Sequence, residues 1–231
     1  MPEWWTYTLS DFLLFSPRTY YRLIQRHNEA VWPAHLVTLI LGLVIAASLA
    51  RPSAQRGRVV SGILALIWIW VAWAFVWRRY ATINWAAGYL AWLLGLEALL
   101  LAWIGVIRGR LAFGWTPDAT GFLGIGLIGL SVLVYPMLAP LLGRGWHQAE
   151  VFGIAPDPTA IATVGLMFLV GGRARSALLA APALWCLAGG LTLWAMHSPE
   201  AWLLLGTALS VPVGIGAKRR PTQGARGRPA P

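Results

Sequence analysis

Long apolar runs, separated by short polar and charged segments, organise the whole of this chain. Most of the runs have the length of about 20 residues that a helix needs to cross the bilayer core, and their separators carry glycine, proline and arginine. The pattern predicts an all-α, polytopic transmembrane helix bundle with seven spans. The apolar runs are residues 32–50, 59–77, 86–107, 121–142, 158–170, 176–196 and 200–217.

The run at 158–170 is the shortest of the series and leaves an alternative open. As an α-helix it would cover only about 20 Å of the roughly 30 Å of hydrocarbon, so it could be a re-entrant half-helix in a bundle of six spans. Seven spans divide the lysines and arginines 12 to 6 between the two sides, and six spans divide them 13 to 5. Without the three arginines of residues 18–26 the divisions become 12 to 3 and 10 to 5. This favours seven spans, a cytoplasmic C-terminal tail and an external N-terminus.

A short amphipathic helix is predicted before the first span. Ser16 followed by Pro17 is a good helix start, because serine caps the first turn and proline suits its first position. Arg18, Arg22 and Arg26 then repeat every four residues, which puts three cations on one helix face. This spacing is typical of a helix that lies on the membrane surface and contacts lipid phosphates, with an ordinary solvated charged face as the alternative.

Composition excludes a soluble protein, because 58% of the residues are hydrophobic and only 11% are charged. The formal net charge is +10, but the basic residues lie between apolar runs and in the tail, so they indicate topology and not a nucleic-acid surface. Cys186 is the single cysteine and excludes an internal disulfide or a CxxC motif. The chain divides into an N-terminal interfacial segment (1–27), a transmembrane helical domain (28–217) and a disordered basic C-terminal tail (218–231).

Polar residues with ligand chemistry gather on one side of the membrane in either span count, and with seven spans this is the outer side. Histidine nitrogen and carboxylate oxygen are ligands for transition metals, and we expect the first-span and fourth-loop members of the set to come together. The alternative is ordinary interfacial hydrogen bonding, with the aspartate before Pro158 acting as a helix N-cap. The candidate ligands of this outer rim are Asn28, Glu29, His35, Asn84, His147 and Asp157.

Glu97 lies in the middle of the third span, where an ionisable side chain is costly and by default a functional candidate. Ser131 and Cys186 fall at comparable depths on their own spans. Glycines and alanines recur at three- and four-residue steps along the third span, which would let another helix approach closely. Glu97 is predicted at the edge of that seam, either hydrogen-bonded across the helix interface or engaged in proton coupling or substrate contact.

Three segments carry a resemblance to a known family. FSPRTYYRLIQRHNEAVWPAH at 15–35, INWAAGYL at 83–90 and FGIAPDPTAIATVGLMFL at 152–169 resemble a family of bacterial multi-pass membrane proteins of unknown function, sometimes labelled MFS transporter permeases. The resemblance covers nearly the whole chain, and it implies a bacterial inner-membrane location but no activity. The family often has cysteine between the two prolines where this chain has Asp157, which argues against a thiolate metal site. The chain also lacks the twelve spans of a true MFS carrier.

We therefore expect a small permease-like or transport-associated membrane protein. The alternatives are a membrane anchoring or assembly subunit, and a membrane metal- or haem-binding protein that uses the histidines of the outer face. An enzyme is not favoured, because no nucleophile, base and orienting group can be assembled from the spacing. No particular cofactor is indicated. The expected partners are the lipid bilayer and either further copies of the chain or a membrane-complex partner, without nucleic acid.

Overall fold

The computed structural model describes residues 13–51, 53–172 and 174–217. Over these residues the chain is helical and forms no β-strand, with only isolated bridges between single residues. The predicted all-α class is therefore confirmed, while the whole of the predicted basic tail (218–231) lies outside the described residues. The helices are α1 (Pro17–Val31), α2 (Ala34–Leu49), α3 (Ala54–Trp70), α4 (Ala87–Leu100), α5 (Ala119–Gly129), α6 (Tyr135–Leu141), α7 (Pro156–Phe168), α8 (Ala174–Leu178), α9 (Ala180–Ala195) and α10 (Ala201–Ala217).

Several of these helices continue without a break. The segments Val71–Trp77 and Leu101–Ile107 extend α3 and α4 in wider π-helical turns, and Leu130–Val134 joins α5 to α6 in the same way. Short 3₁₀ turns follow at Tyr80–Thr82 and Trp146–Gln148. The long apolar runs of the sequence therefore become long, nearly continuous helical rods.

Four helical stretches are long and apolar enough to cross a bilayer. Helices α1 and α2 qualify only as a pair, and they are bent by 86° relative to each other. Residues Ala201–Gly216 are apolar but shorter. By length and composition the described helices thus give four or five candidate spans, fewer than the seven predicted. The four stretches are Ala54–Thr82, Ala87–Ile107, Ala119–Leu141 and Arg175–Ala195.

Helix α1 begins as the sequence predicts. The Ser16 hydroxyl accepts a hydrogen bond from the Thr19 backbone N–H at 3.2 Å, and Pro17 occupies the first helical position. Its apolar face buries Tyr20 and Ile24 against the bundle, while the arginine face is exposed. The helix is therefore amphipathic, with its charged face turned away from the bundle.

Helix α7 lies inside the bundle, and all of its residues are buried. It packs chiefly against α5 and α9. The approach to α5 is close at two facing glycines, because a Cβ on Gly165 would stand 2.7 Å from the Gly124 carbonyl oxygen. The expectation that Asp157 caps this helix is wrong: Ala155 holds the N-cap position and makes no side-chain cap. The carboxylate of Asp157 is engaged inside the bundle.

The outside of the bundle is apolar, as expected of a surface in contact with lipid. Helix α2 is the extreme case, because it packs mainly against α3 and buries only Thr38 and Ile45. Polar side chains are concentrated inside the bundle and at its ends. We call the end that holds α1 and the loop between α6 and α7 the rim end.

Candidate functional site

A cavity of about 560 Å³ opens at the rim end between α1, the start of α2 and the loop before α7. Four of the six predicted rim residues line it, so the structure brings together side chains from distant parts of the chain. We call it the rim cavity. Its lining residues are Asn28, Glu29, Trp32, His35, Trp146, His147, Ala149 and Val151.

Asn28 fixes the shape of the rim cavity. Its side-chain amide donates hydrogen bonds to the carbonyl oxygens of His147 at 2.9 Å and Ala149 at 2.8 Å. These two bonds fasten the loop to α1. Trp32 and Trp146 are both more than half exposed, so the cavity has aromatic walls that ligands can reach.

Asn84 and Asp157, the other two predicted rim residues, do not line the cavity. The Asn84 amide donates to the Tyr80 hydroxyl at 3.2 Å, and its carbonyl oxygen accepts from the Ala86 N–H at 3.1 Å, just before α4. Asp157 lies in the interior at the start of α7. The predicted set of six therefore combines four residues that share the cavity with two, Asn84 and Asp157, whose hydrogen bonds hold other parts of the fold.

The rim cavity does not have the donor set of a metal centre. Within residues 13–51, 53–172 and 174–217, no three His, Cys, Asp or Glu side chains are close enough to hold one ion. Glu29 accepts a hydrogen bond from the Gln25 amide at 2.9 Å. A pair of imidazoles with a carboxylate already engaged is a poor site for zinc, which takes three or four protein ligands.

Glu150 lies directly behind the wall of the rim cavity. The neighbours Ala149 and Val151 line the cavity, while the Glu150 side chain turns inward and is 3% exposed. Neither carboxylate oxygen has a hydrogen-bond partner among the described residues. Burial raises the pKa of Glu150 well above its usual value, the nearby Asp157 and Glu200 carboxylates raise it further, and Arg144 opposes them.

Asp157 is buried but well satisfied. One carboxylate oxygen accepts from the Trp185 indole N–H at 2.7 Å, and the other accepts from the Tyr135 hydroxyl at 3.2 Å. The predicted interior candidates Ser131 and Cys186 belong to these surroundings: the Ser131 hydroxyl donates to the carbonyl oxygen of the neighbouring Pro158, and the buried thiol follows Trp185 in sequence and lies within electrostatic range of Asp157.

Glu200 is the third carboxylate of this cluster, and it is compensated. It forms an ion pair with Arg144 and accepts hydrogen bonds from the Tyr21 hydroxyl at 3.0 Å and the Ser198 hydroxyl at 2.8 Å. The Arg144 guanidinium also stacks 3.9 Å from the centroid of the Tyr21 ring. Among these three neighbouring carboxylates, Glu150 is therefore the one without a partner in the described part of the chain.

Residues 18–224, which include the rim cavity and the carboxylate cluster, match a family of unknown function, DUF6064. The chain belongs to this family. The resemblance to an uncharacterised family is thus confirmed. No curated protein and no solved structure matches the chain. The DUF6064 match gives no activity, so the function has to be argued from the site.

Glu97 is a second kind of interior carboxylate in this DUF6064 chain. It is fully buried, and neither of its oxygens has a hydrogen-bond partner within the described ranges. It lies on the buried face of α4 with Ala91, Leu94 and Ala98, at one edge of that face, because about 100° separates it from Ala98 around the helix. It is not among the groups that act on Glu150. Ser131 and Cys186 are associated with Asp157.

His27 is the buried histidine of α1. Its ring lies edge-on to Phe75 with the centroids 5.1 Å apart. Neither ring nitrogen makes a well-formed hydrogen bond to a described residue, although the Ile154 backbone is near enough to favour the cation slightly. Burial, with a smaller effect of the Arg79 charge, lowers the pKa of His27 to about 4. His27 is therefore neutral at physiological pH.

Proposed function

We propose that this protein is a small membrane permease that exchanges an organic cation for a proton. The observation that carries the proposal is Glu150, a buried carboxyl group without a hydrogen-bond partner in the described chain, placed behind the wall of an accessible cavity. A buried carboxyl in such a setting is held neutral. Polar groups that the fold leaves unsatisfied inside a membrane protein are typical of proton-handling sites.

The walls of the rim cavity favour a cationic solute. Trp32 and Trp146 expose their rings, and the faces of tryptophan attract ammonium groups, above all quaternary ones. Glu29 adds an exposed carboxylate. A cation in the cavity would stabilise ionised Glu150 through the thin 149–151 wall, so its arrival favours release of the proton.

The inner carboxylate of Asp157 extends this arrangement toward the interior. Its carboxylate accepts two hydrogen bonds, and its proximity to Glu150 makes two adjacent negative charges unfavourable. Protons and cations therefore compete for the same pair of groups. Competition of this kind is the physical basis of exchange, because occupancy by one species lowers the affinity for the other.

We further infer that α7 crosses the bundle from the rim end to the opposite end, which brings the number of crossings to seven. After α7, the Leu169 carbonyl accepts from Gly114, which belongs to the loop between α4 and α5 at the end opposite the rim. Helix α9 starts at that opposite end, where Arg175 donates to the Gly214 carbonyl near the end of α10. It finishes at the rim end, where Ser198 accepts from Tyr21. A re-entrant α7 would require α9 to start at the rim end.

With seven crossings the rim end is external, and the basic tail is cytoplasmic, in the inner membrane. Seven spans leave six basic residues on the rim side. One of these, Arg144, is neutralised by Glu200. Two others, Arg78 and Arg79, end the α3 stretch beside exposed aromatic residues. The larger basic total faces the other side, which supports this orientation.

The proposed exchange can be measured in proteoliposomes with an acidic lumen and an entrapped pH-sensitive dye. External choline or tetramethylammonium should raise the lumenal pH of wild-type vesicles, because each entering cation displaces a proton outward. E150Q should abolish this response, since glutamine cannot release a proton. D118N is the matched control: Asp118 caps α5 away from the rim, and asparagine caps equally well.

Two results would contradict the exchange. One is a wild-type response to both cations that equals that of protein-free vesicles. The other is an E150Q response equal to that of the wild type, which would remove Glu150 from the mechanism. The variants W32F and W146F separate binding from proton release, because they should weaken the apparent affinity for the cation while leaving the maximal response intact.

A further inference from the structure

Four arginine side chains surround a second cavity at the rim end, of about 270 Å³. Helix α1 contributes Arg18, Arg22 and Arg26 from one exposed face, and Arg79 comes from the end of the α3 stretch. The described lining residues include no aspartate or glutamate. We call this the arginine cavity. It is separate from the rim cavity, with which it shares no lining residue.

The charge of the arginine cavity is uncompensated within the described chain. None of its four guanidinium groups forms an ion pair or a side-chain hydrogen bond with a residue in the described ranges. The ion pair found within those ranges joins Arg144 to Glu200 and lies outside this cavity. The neighbouring His27 is neutral and adds no charge. Four cations around one small space repel each other, and a bound anion would reverse that repulsion.

The surroundings of the arginine cavity place it at the level of lipid headgroups. Helix α1 turns by 86° from the apolar α2, so it runs across the end of the bundle. Beside it, at the ends of the α3 stretch and α4, Trp77, Trp85 and Trp92 are at least half exposed. Tryptophan is enriched where the hydrocarbon meets the headgroups, and the lipid phosphates lie at this depth.

We propose that the arginine cavity binds the phosphate of an anionic phospholipid. The planar guanidinium fork matches phosphate oxygens in pairs, and several forks can hold one group from different sides. A headgroup with two phosphates or two charges, such as cardiolipin or phosphatidic acid, matches four arginines best. Phosphatidylethanolamine is disfavoured, because its ammonium group would be brought among four cations.

Native mass spectrometry of the full-length protein tests the site. The purified protein is mixed with cardiolipin, phosphatidylglycerol or phosphatidylethanolamine, and the bound lipid is counted. R22Q combined with R79Q should weaken cardiolipin retention by about tenfold or more, since each basic residue near an anionic headgroup contributes substantially. The matched control is R58Q with R110Q, which removes two exposed arginines at the opposite end of the bundle and should change retention by less than about twofold.

Two further measurements test whether arginine geometry matters for lipid retention and whether the bound phosphate belongs to a lipid. R22K with R79K keeps the charge but loses the paired hydrogen bonds, so retention between that of the wild type and the glutamine variant supports a built site. Equal losses of cardiolipin retention in R22Q with R79Q and in the control R58Q with R110Q would overturn the proposal in favour of diffuse electrostatic attraction. Displacement of cardiolipin by inorganic phosphate at equal concentration would reassign the cavity to a soluble phosphate and overturn the lipid assignment.

Discussion

At the scale of single residues, Glu150 predicts how stability depends on pH. Its pKa in the folded protein lies above the usual value of 4.5, so above that pH the folded state holds more protons than the unfolded state. Stability should therefore fall as the pH rises above about 4.5. E150Q should flatten this dependence and raise the melting temperature at the higher pH. Thermal unfolding in detergent, followed by tryptophan fluorescence, measures both effects.

The exposed Glu29 provides the comparison for this experiment. E29Q removes an acid of the same kind on the other side of the 149–151 wall and should leave the slope of melting temperature against pH unchanged. An E150Q profile as steep as that of the wild type would mean that Glu150 stays ionised in the folded protein. Its proposed role in proton exchange would then fail as well.

His27 should make the folded protein less stable as the pH is lowered, whereas Glu150 makes it less stable as the pH is raised. Its pKa of about 4 lies below the ordinary value of 6.5, so the unfolded state gains protons first as the pH falls through this window. The wild type should lose about 2 kcal/mol of stability between about pH 6.5 and about pH 5 through this group. H27F should lack this loss, and H147Q, at an exposed position, should retain it.

Glu97 should be replaceable by an apolar side chain of similar length. Because its carboxyl group has no partner in the described chain, E97M removes an unsatisfied polar group without breaking a hydrogen bond. We expect E97M to melt at or above the wild-type temperature and to retain the cation response. A misfolded E97M beside a well-folded E97Q would show that hydrogen bonding by Glu97 holds the helices together.

The sequence predicted part of the site at this scale and missed the rest for a definite reason. Asn28, Glu29 and His35 are close in sequence, and a fourth rim residue, His147, follows from the even number of intervening crossings. Glu150 was not singled out, because its inward orientation depends on the irregular backbone between α6 and α7. The sequence signal for this orientation was the pair of apolar neighbours, Ala149 and Val151. In an extended backbone successive side chains point to opposite sides, so the middle side chain points away from the two beside it.

At the scale of elements, the contact between α5 and α7 should be sensitive to one methyl group. A Cβ at Gly165 would stand 2.7 Å from the Gly124 carbonyl oxygen, which is a clash with backbone. G165A should therefore destabilise the protein by about 1 to 3 kcal/mol. G126A is the matched control, because Gly126 on α5 has open space around it and alanine favours the helix. Equal melting temperatures for the two variants would contradict this packing.

The sequence predicted where α7 lies but could not settle how it is accommodated. The run at 158–170 agrees with Pro156–Phe168 within two residues at each end, since apolar length and proline are local signals. Whether a helix of 13 residues crosses or returns depends on which end of α9 it meets, and that is a tertiary contact. Helix α2 is also shorter than its apolar run, because the chain turns at Pro33.

At the scale of the whole molecule, the proposed topology can be read with single cysteines. Native Cys186 is fully buried, so the wild-type protein in intact cells should not be labelled by an impermeant maleimide. G145C, in the exposed loop before α7, should be labelled from outside, and Q55C, at the exposed start of α3, should be labelled only after the cells are opened. Labelling of both positions from the same side would contradict this orientation of the α3 stretch and the later loop.

Reporters at the chain termini give an independent reading. With seven crossings, a reporter fused after Arg220 should be cytoplasmic and one fused before Pro2 should be external. Finding both ends on one side would leave an even number of crossings. Helix α7 would then be a re-entrant segment, despite the contacts of its last turn.

The complete burial of α7 also bears on how the protein is made. A segment of 13 residues with none of its side chains exposed has no surface suited to lipid, and it is too short to be held by the bilayer on its own. With α7 crossing the bundle as proposed, we expect it to enter the membrane together with α9, the neighbour that covers part of its surface. Truncation after α7 should then leave that helix outside the membrane, which protease accessibility of the truncated chain would measure.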